Sequence, residues 1–142
     1  MKLDILAFAA HPDDIELACS GTLIKHIKNG SKVGIIDLTE GELGSRGSRE
    51  LRYEEAANAT KIIGNIVREN LNLGDGFFEV EEKSMMKVIE MIRKYQPDII
   101  LCNAISDRHP DHGRGSELVK RAAFLSGLLK IETLIDGKSQ EK

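Results

Sequence analysis

The stretch Leu3-Asp4-Ile5-Leu6-Ala7-Phe8-Ala9-Ala10-His11-Pro12-Asp13-Asp14 decides the fold, because a short apolar run passes there directly into a charged motif. An apolar run of this length, followed by a proline turn, is typical of a strand buried in a parallel sheet. Residues 3–9 are therefore predicted to form a strand with His11 and Asp14 just beyond its carboxyl end. The run also resembles a short signal peptide, but cleavage after it would discard His11, so we favour the strand.

Strand-like and helix-like patterns alternate along the rest of the chain. Apolar residues at helical spacing predict helices, and short apolar runs predict further strands; the helices are at 15–28, 50–63, 82–95 and 115–129, and the strands at 33–38, 66–73 and 98–102. Strands separated by helices imply right-handed crossovers and a parallel sheet. We therefore expect one α/β domain over residues 1–142, a Rossmann-like three-layer fold with a mostly parallel sheet. The polar residues 132–142 are expected to fray.

Composition excludes several classes of partner. The chain has 20 Lys and Arg against 23 Asp and Glu, without a basic block, so neither nucleic acid nor an anionic membrane is expected. Its apolar runs have the length of strands, so we expect no membrane span. Cys19 and Cys102 lie in apolar patterns and are expected to be buried free thiols of a cytoplasmic protein. A dinucleotide-binding domain is disfavoured because no G-x-G-x-x-G follows the first strand.

A second charged motif, Asp107-Arg108-His109-Pro110-Asp111-His112, follows the predicted strand 98–102. Because the carboxyl ends of parallel strands meet at one sheet edge, this motif can converge with the first and supply two histidines and a carboxylate to one metal. Such a set fits zinc with an open position for water, and it also describes the facial triad of iron(II) oxygenases. The α/β alternation and a leftover acid that can serve as base favour hydrolytic zinc. Taken alone, Asp13 or Asp14 could instead cap the following helix.

The two motifs resemble those of the LmbE-like (PIG-L) N-acetylglucosamine deacetylases, and the resemblance covers essentially the whole chain. Within that family the chain is most similar to the bacillithiol-biosynthesis N-acetylglucosaminyl-L-malate deacetylases, through residues 1–7, 37–47 and 107–112. The resemblance implies zinc-dependent N-deacetylation of an amino-sugar substrate, one Zn²⁺ per chain, a cytoplasmic location and a homo-oligomer. Members usually continue beyond position 142, so we expect the family's C-terminal part to be lacking. The alternative is a truncated, non-catalytic subunit that binds metal or a partner.

The resemblance also implies roles for residues of both motifs. It makes His11, Asp14 and His112 the zinc ligands. It makes Asp13 the general base, and His109 the group that stabilises the oxyanion or protonates the leaving amine.

Substrate contacts are implied in the same way. Arg52 and Arg108 match positions that contact the sugar or its acidic aglycone, and Asp111 is expected to orient a histidine. From the residues alone, Arg52 could also be an arginine exposed on a helix, and Arg108 could be a loop residue that forms a salt bridge. Glu40 and Glu42 lie in the glycine-rich loop after the second strand and are expected to face solvent.

Overall fold

The structure is a computed structural model, and it describes residues 1–64, 66–135 and 138–139. Its central sheet has four parallel strands in the order β3-β2-β1-β4, namely β1 (Ile5–Ala9), β2 (Val33–Asp37), β3 (Val67–Asn70) and β4 (Ile99–Leu101). Helices precede or follow these strands, namely α1 (Asp14–Ala18), α2 (Ser20–Lys28), α3 (Arg49–Ile63), α4 (Glu82–Tyr95) and α5 (Pro110–Ser126). A short antiparallel pair, β5 (Leu134–Ile135) and β6 (Lys138–Ser139), follows α5.

Helices cover the sheet on both faces, and this explains why β1 is buried at every position. On one face, Leu6 and Phe8 pack in a cluster with residues of α4 and α5. On the other face, Ala7 packs in a cluster with Ile15 of α1 and Leu23 of α2. A central parallel strand covered on both sides must be apolar throughout, as the first quoted stretch is. The predicted α/β, three-layer fold with a parallel sheet is confirmed.

The first predicted helix is interrupted. Instead of one helix over 15–28, the chain forms α1 and α2 with a break at Cys19, whose φ of −142° and ψ of 13° are not helical. This position leaves Cys19 partly exposed, and Cys102, beyond the end of edge strand β4, is exposed. The prediction that both thiols are buried is therefore wrong, whereas the prediction that they are free is confirmed.

Helix α5 begins five residues earlier than the predicted 115, at Pro110. Proline suits the first helical position because its missing N–H would have had no partner there, and the side chain of His109 accepts a hydrogen bond from the N–H of Asp111 at 3.2 Å. The second charged motif is thus not a loop throughout: His109 caps the helix, and His112 lies in its first turn. The Pro and Asp that follow His109 were the sequence signal for this start.

Two smaller differences concern α3 and the C-terminal end. The inward face expected for α3 is only half-buried at Ala56, Ala57 and Thr60, because these residues line cavities, while Ile63 is buried. In the stretch expected to fray, β5 and β6 pair; residues 136–137 and 140–142 lie outside the described residues. Within the part of the chain that the structure describes, no helix has both the length and the apolar character needed to cross a bilayer.

Candidate active site

The site lies where the direction of strand order reverses, because β1 has β2 on one side and β4 on the other. Ligands of open α/β sheets bind at the carboxyl ends of strands at such a point. Asn103, just after β4, joins the two halves of the site here. Its Oδ1 accepts from the N–H of Ala10 at 2.9 Å, and its Nδ2 donates to Asp14 Oδ2 at 3.0 Å.

Three histidines from the two motifs converge at this point. The ring centroids are 4.7 Å apart for His11 and His109, 5.5 Å for His11 and His112, and 4.9 Å for His109 and His112. Each ring has a nitrogen within 4.8 Å of a nitrogen in both others. Three imidazoles at this separation form a donor set suited to a transition-metal ion.

Asp14 lies between two of these histidines. Its Oδ1 is 3.2 Å from His112 Nε2, and its Oδ2 is 3.6 Å from His11 Nδ1. Burial opposes ionisation of Asp14, but hydrogen bonds from His11 and Asn103 and the proximity of His112 outweigh this and lower its pKa to about 2. The structure therefore brings together the three residues expected to be zinc ligands, with the carboxylate ionised.

The opposite ring nitrogens of the same two histidines contact other carboxylates. His11 Nε2 is 3.1 Å from both Asp111 Oδ2 and Asp75 Oδ1, and His112 Nδ1 is 3.2 Å from Asp107 Oδ2. A carboxylate on the far nitrogen is the usual companion of a metal-binding histidine, because it orients the ring and selects the tautomer. The donor set, with His11 Nδ1 and His112 Nε2 facing Asp14, fits a zinc-type ion.

His11 carries a strongly shifted pKa. Burial alone would lower it, but hydrogen bonds to Asp14 and Asp111 and the charge of Asp75 raise the pKa to about 9. Three carboxylates around one imidazole thus favour a positive charge at this position. A divalent cation bound to this imidazole would supply such a charge in place of the proton, because only neutral imidazole can be a ligand.

Asp13 is exposed at the N-terminus of α1, and its side chain makes no capping hydrogen bond with any described residue. The interpretation of Asp13 as a helix cap is therefore wrong. Instead, Asp13 lines a cavity of about 390 Å³ together with Glu16, Arg46 and Arg52. This volume falls in the range of small-molecule sites.

The two arginines expected to contact substrate differ in position. Arg52, on α3, lines both this cavity and a neighbouring one of about 360 Å³. Its guanidinium lies against the glycine-rich loop, where a Cβ at Gly44 would collide with it. Arg108 is exposed, and among the described residues it forms no ion pair, so its interpretation as a salt-bridged residue is wrong.

Charged residues also join the elements beside the cavities. Arg68, on β3, donates from Nε to Asp37 Oδ2 at 2.7 Å and from Nη2 to Asp37 Oδ1 at 3.0 Å, and its Nη1 contacts Glu16. Burial raises the pKa of Asp37 to about 6, against the opposing effect of Arg68. This network connects β2, β3 and α1 next to the site.

Sequence reasoning did not identify Asp75 or Asn103 as parts of the site, and it gave Asp107 no role, although Asp107 opens the second motif. The sequence signal that could have suggested a role for Asp75 is an acid placed between two glycines, Gly74 and Gly76. Glu40 pairs with Arg49, and Glu42 is exposed as expected, yet its Oε1 accepts from the N–H of Asp75 at 2.8 Å.

Comparisons with known proteins agree with this architecture. The family model "PIG-L: GlcNAc-PI de-N-acetylase" matches residues 6–123. The uncharacterized deacetylase YaiS of Escherichia coli K12 is 35% identical over 114 residues, 76% of this chain and 61% of YaiS. The diacetylchitobiose deacetylase of Thermococcus kodakarensis is 28% identical over 134 residues, 87% of this chain and 50% of that enzyme.

A solved structure is similar over the same region. The crystal structure of the conserved protein TT1542 from Thermus thermophilus superposes with a TM-score of 0.86 at 41% identity, over 90% of this chain and 58% of that one. The chain therefore spans between 50% and 61% of the length of these three proteins.

Proposed function

The chain belongs to the PIG-L family (GlcNAc-PI de-N-acetylase), and on this premise we propose that it is a zinc-dependent N-deacetylase of an N-acetylglucosaminyl compound. The observation that carries the proposal is the meeting of Asp14 with His11 and His112 next to the exposed carboxylate of Asp13. As substrate we propose N-acetylglucosaminyl-L-malate of bacillithiol biosynthesis. A cytoplasmic location fits this function, since free thiols such as Cys19 and Cys102 persist in a reducing compartment.

His11, Asp14 and His112 are the residues proposed to hold one Zn²⁺ per chain. The ring nitrogens proposed as ligands are His11 Nδ1 and His112 Nε2, because the opposite nitrogens contact carboxylates. When bound, zinc supplies a Lewis acid that polarises the acetyl carbonyl and makes water a better nucleophile near neutral pH.

Asp13 is proposed as the general base. It adjoins the ligand Asp14, lines the cavity and does not cap α1, so its carboxylate is available to take a proton from the attacking water. Oxygen of that water bonds to the acetyl carbon, the C–N bond breaks, and acetate and the free amine are the products.

His109 is proposed to stabilise the oxyanion or protonate the leaving nitrogen. Its Nδ1 accepts the N–H of Asp111, so a neutral ring carries its proton on Nε2. That nitrogen can donate a hydrogen bond to negative charge developing on the carbonyl oxygen. Protonation of the amine would instead require the imidazolium, in which Nδ1 is protonated and gives up the hydrogen bond from Asp111. Asp111, bonded to His11, is proposed to orient that ring.

Arg52 and Arg108 are proposed to bind the malate carboxylates. An arginine fork can hold a carboxylate through two parallel hydrogen bonds. Arg52 lines both cavities, one of them together with Asp13, whereas Arg108 lies on the exposed part of the second motif. The proposed zinc ligands do not line these cavities, so the link from Arg52 to the site is through Asp13. Assembly into a homo-oligomer is part of the proposal and is checked by light scattering.

The test measures acetate release by zinc-stripped and zinc-reloaded protein. The substrates are N-acetylglucosaminyl-L-malate, N-acetylglucosamine and diacetylchitobiose, and the matched control is His26→Ala, which removes the histidine on α2. We expect zinc-dependent release, greatest with the malate glycoside and equal in the control. Zinc binding without release from any substrate would reject the deacetylase in favour of a non-catalytic subunit. A preference for diacetylchitobiose would keep the reaction and reject the malate assignment.

A further inference from the structure

Asp75 is the buried acid of this site to which the proposed chemistry gives no role. It lies between Gly74 and Gly76, whose φ values of +99° and +72° are in the left-handed region that favours glycine. This turn places Asp75 at 8% exposure, with Oδ1 3.1 Å from His11 Nε2 and Oδ2 accepting from the N–H of Leu43 at 2.9 Å.

The carboxylates of Asp75 and Asp111 are arranged alike around His11. Each places one oxygen 3.1 Å from Nε2. The other oxygen is held elsewhere: Asp75 Oδ2 by the N–H of Leu43, and Asp111 Oδ1 by Arg114 Nη1 at 2.9 Å. Both carboxylates are thus anchored independently: His11 Nε2 bonds Asp111 Oδ2, and Asp75 Oδ1 lies beside it as a second negative charge.

A second metal ion is the competing interpretation, because His11, Asp75 and Asp111 offer ligand atoms within 4.8 Å of one another. Two observations oppose it. The guanidinium of Arg114 lies beside Asp111, so a positive charge is already present, and the N–H of Gly76 also donates to Asp111 Oδ2 at 2.9 Å. Both oxygens of Asp111 therefore already receive hydrogen bonds.

We propose that Asp75 is a positioning residue: its carboxylate, 3.1 Å from His11 Nε2, stabilises by its charge the proton that Nε2 donates to Asp111, and thereby helps to hold Nδ1 as the metal-binding nitrogen. This inference rests on the proposed zinc site. This contact also connects that site to the glycine-rich loop, since Asp75 bonds Leu43 through Oδ2 and Glu42 through its N–H.

The experiment compares Asp75→Asn with the matched control Glu42→Gln. Asparagine keeps the size of the side chain and one acceptor for Leu43, but it removes the negative charge beside His11 Nε2. Glutamine at 42 alters the same turn without touching His11. Zinc affinity is measured by competition with a chromogenic chelator. We expect roughly 10- to 100-fold weaker binding in Asp75→Asn, the range typical for loss of a ligand-orienting group, and unchanged binding in Glu42→Gln.

A spectroscopic readout separates positioning from a general effect on folding. Long-range ¹H–¹⁵N spectra of zinc-loaded wild-type protein are expected to show His11 protonated at Nε2, with that proton exchanging faster in Asp75→Asn. Circular dichroism of the zinc-free proteins checks that both variants fold. The wild-type spectrum tests the proposal even if Asp75→Asn does not fold, because protonation at Nδ1 would overturn it.

The outcomes separate this inference from the proposed function. If wild-type protein binds no zinc, the metal site is wrong and the inference fails with it. If wild-type protein binds one zinc and Asp75→Asn binds it equally well, only the inference fails. If wild-type protein binds two zinc ions and Asp75→Asn loses one, Asp75 is a ligand rather than a positioning residue.

Discussion

The two motifs of the site, residues 10–14 after β1 and residues 107–112 after β4, differ in how firmly the fold holds them. His11, in the β1 motif, is 8% exposed and contacts two buried carboxylates. In the β4 motif, the side chain of His112 is 20% exposed and that of its partner Asp107 is 33% exposed. At its histidine ligand the β1 motif is thus the more buried half of the site, although its Asp13 is exposed and Asp111 of the β4 motif is buried.

The position of each strand explains this difference. β1 pairs with β2 and β4, whereas β4 is at the edge of the described sheet. Behind the β1 motif, Thr39 Oγ1 donates to Ala10 O at 2.8 Å, which ties the motif to the end of β2. The central position of β1 and the hydrogen bond from Thr39 hold a metal ligand in a fixed place. Exposed residues such as those after β4 can contact substrate and exchange protons with solvent.

The largest expected effect is loss of the metal when the histidine ligand of the β1 motif is removed. His11→Ala removes a proposed ligand and leaves Asp75 and Asp111 facing a small cavity, so stoichiometric zinc and all turnover should be lost. His109→Ala should keep zinc because His109 is proposed to act on the oxyanion. Elemental analysis after gel filtration measures the zinc content. One zinc per chain in His11→Ala would contradict the assignment of ligands.

Asp13→Asn tests whether Asp13 acts as the base while its neighbour Asp14 binds the metal. The amide is nearly isosteric but cannot take a proton, so turnover should fall by about 10²- to 10⁴-fold with zinc retained. Steady-state kinetics and metal analysis on the same preparation check both parts. Near-normal turnover would place the base elsewhere, with Glu40 the first alternative.

Replacing Arg52 and Arg108 by lysine tests which of the two arginines contacts the substrate. Loss of a charge-assisted contact costs about 1.5–3 kcal/mol, or roughly 10- to 100-fold in kcat/KM. We expect Arg52→Lys to impair the malate glycoside more than Arg108→Lys does, since Arg52 lines the cavities and Arg108 is exposed. Plain N-acetylglucosamine is the control substrate. Equal losses on both substrates would mean that the arginines serve the sugar or the fold.

The smallest effect is expected at Asp107, the carboxylate of the β4 motif that contacts His112. Asp107→Asn removes a charge next to His112 Nδ1, but solvent can supply another acceptor there. Zinc affinity should therefore fall by less than about tenfold, and by less than in Asp75→Asn. The same chelator competition measures it. An equal or larger loss would show that burial does not distinguish the two halves.

Much of the fold and part of the site could be predicted from the sequence. The bounds of α4 were predicted correctly because its apolar residues repeat at helical spacing and Pro97 follows its end. In the structure the helix ends at Tyr95, and Gln96 adopts the left-handed conformation. The break at Cys19 was missed because the apolar pattern continues through it, and α3 lacks a fully buried face because cavities lie beside it. Periodicity reports which residues are apolar, not what packs against them.

By itself, the sequence determined the alternation of strands and helices and the two motifs at strand ends, because periodicity and motif spacing are local properties of a chain. Only the tertiary structure decided which ring nitrogen of His11 contacts carboxylates, since Asp111 lies 100 residues away in sequence. It likewise decided that Asp75 is buried in the site and that Arg108 is exposed. Such contacts depend on strand order and on the path of connecting turns, and no local pattern encodes them.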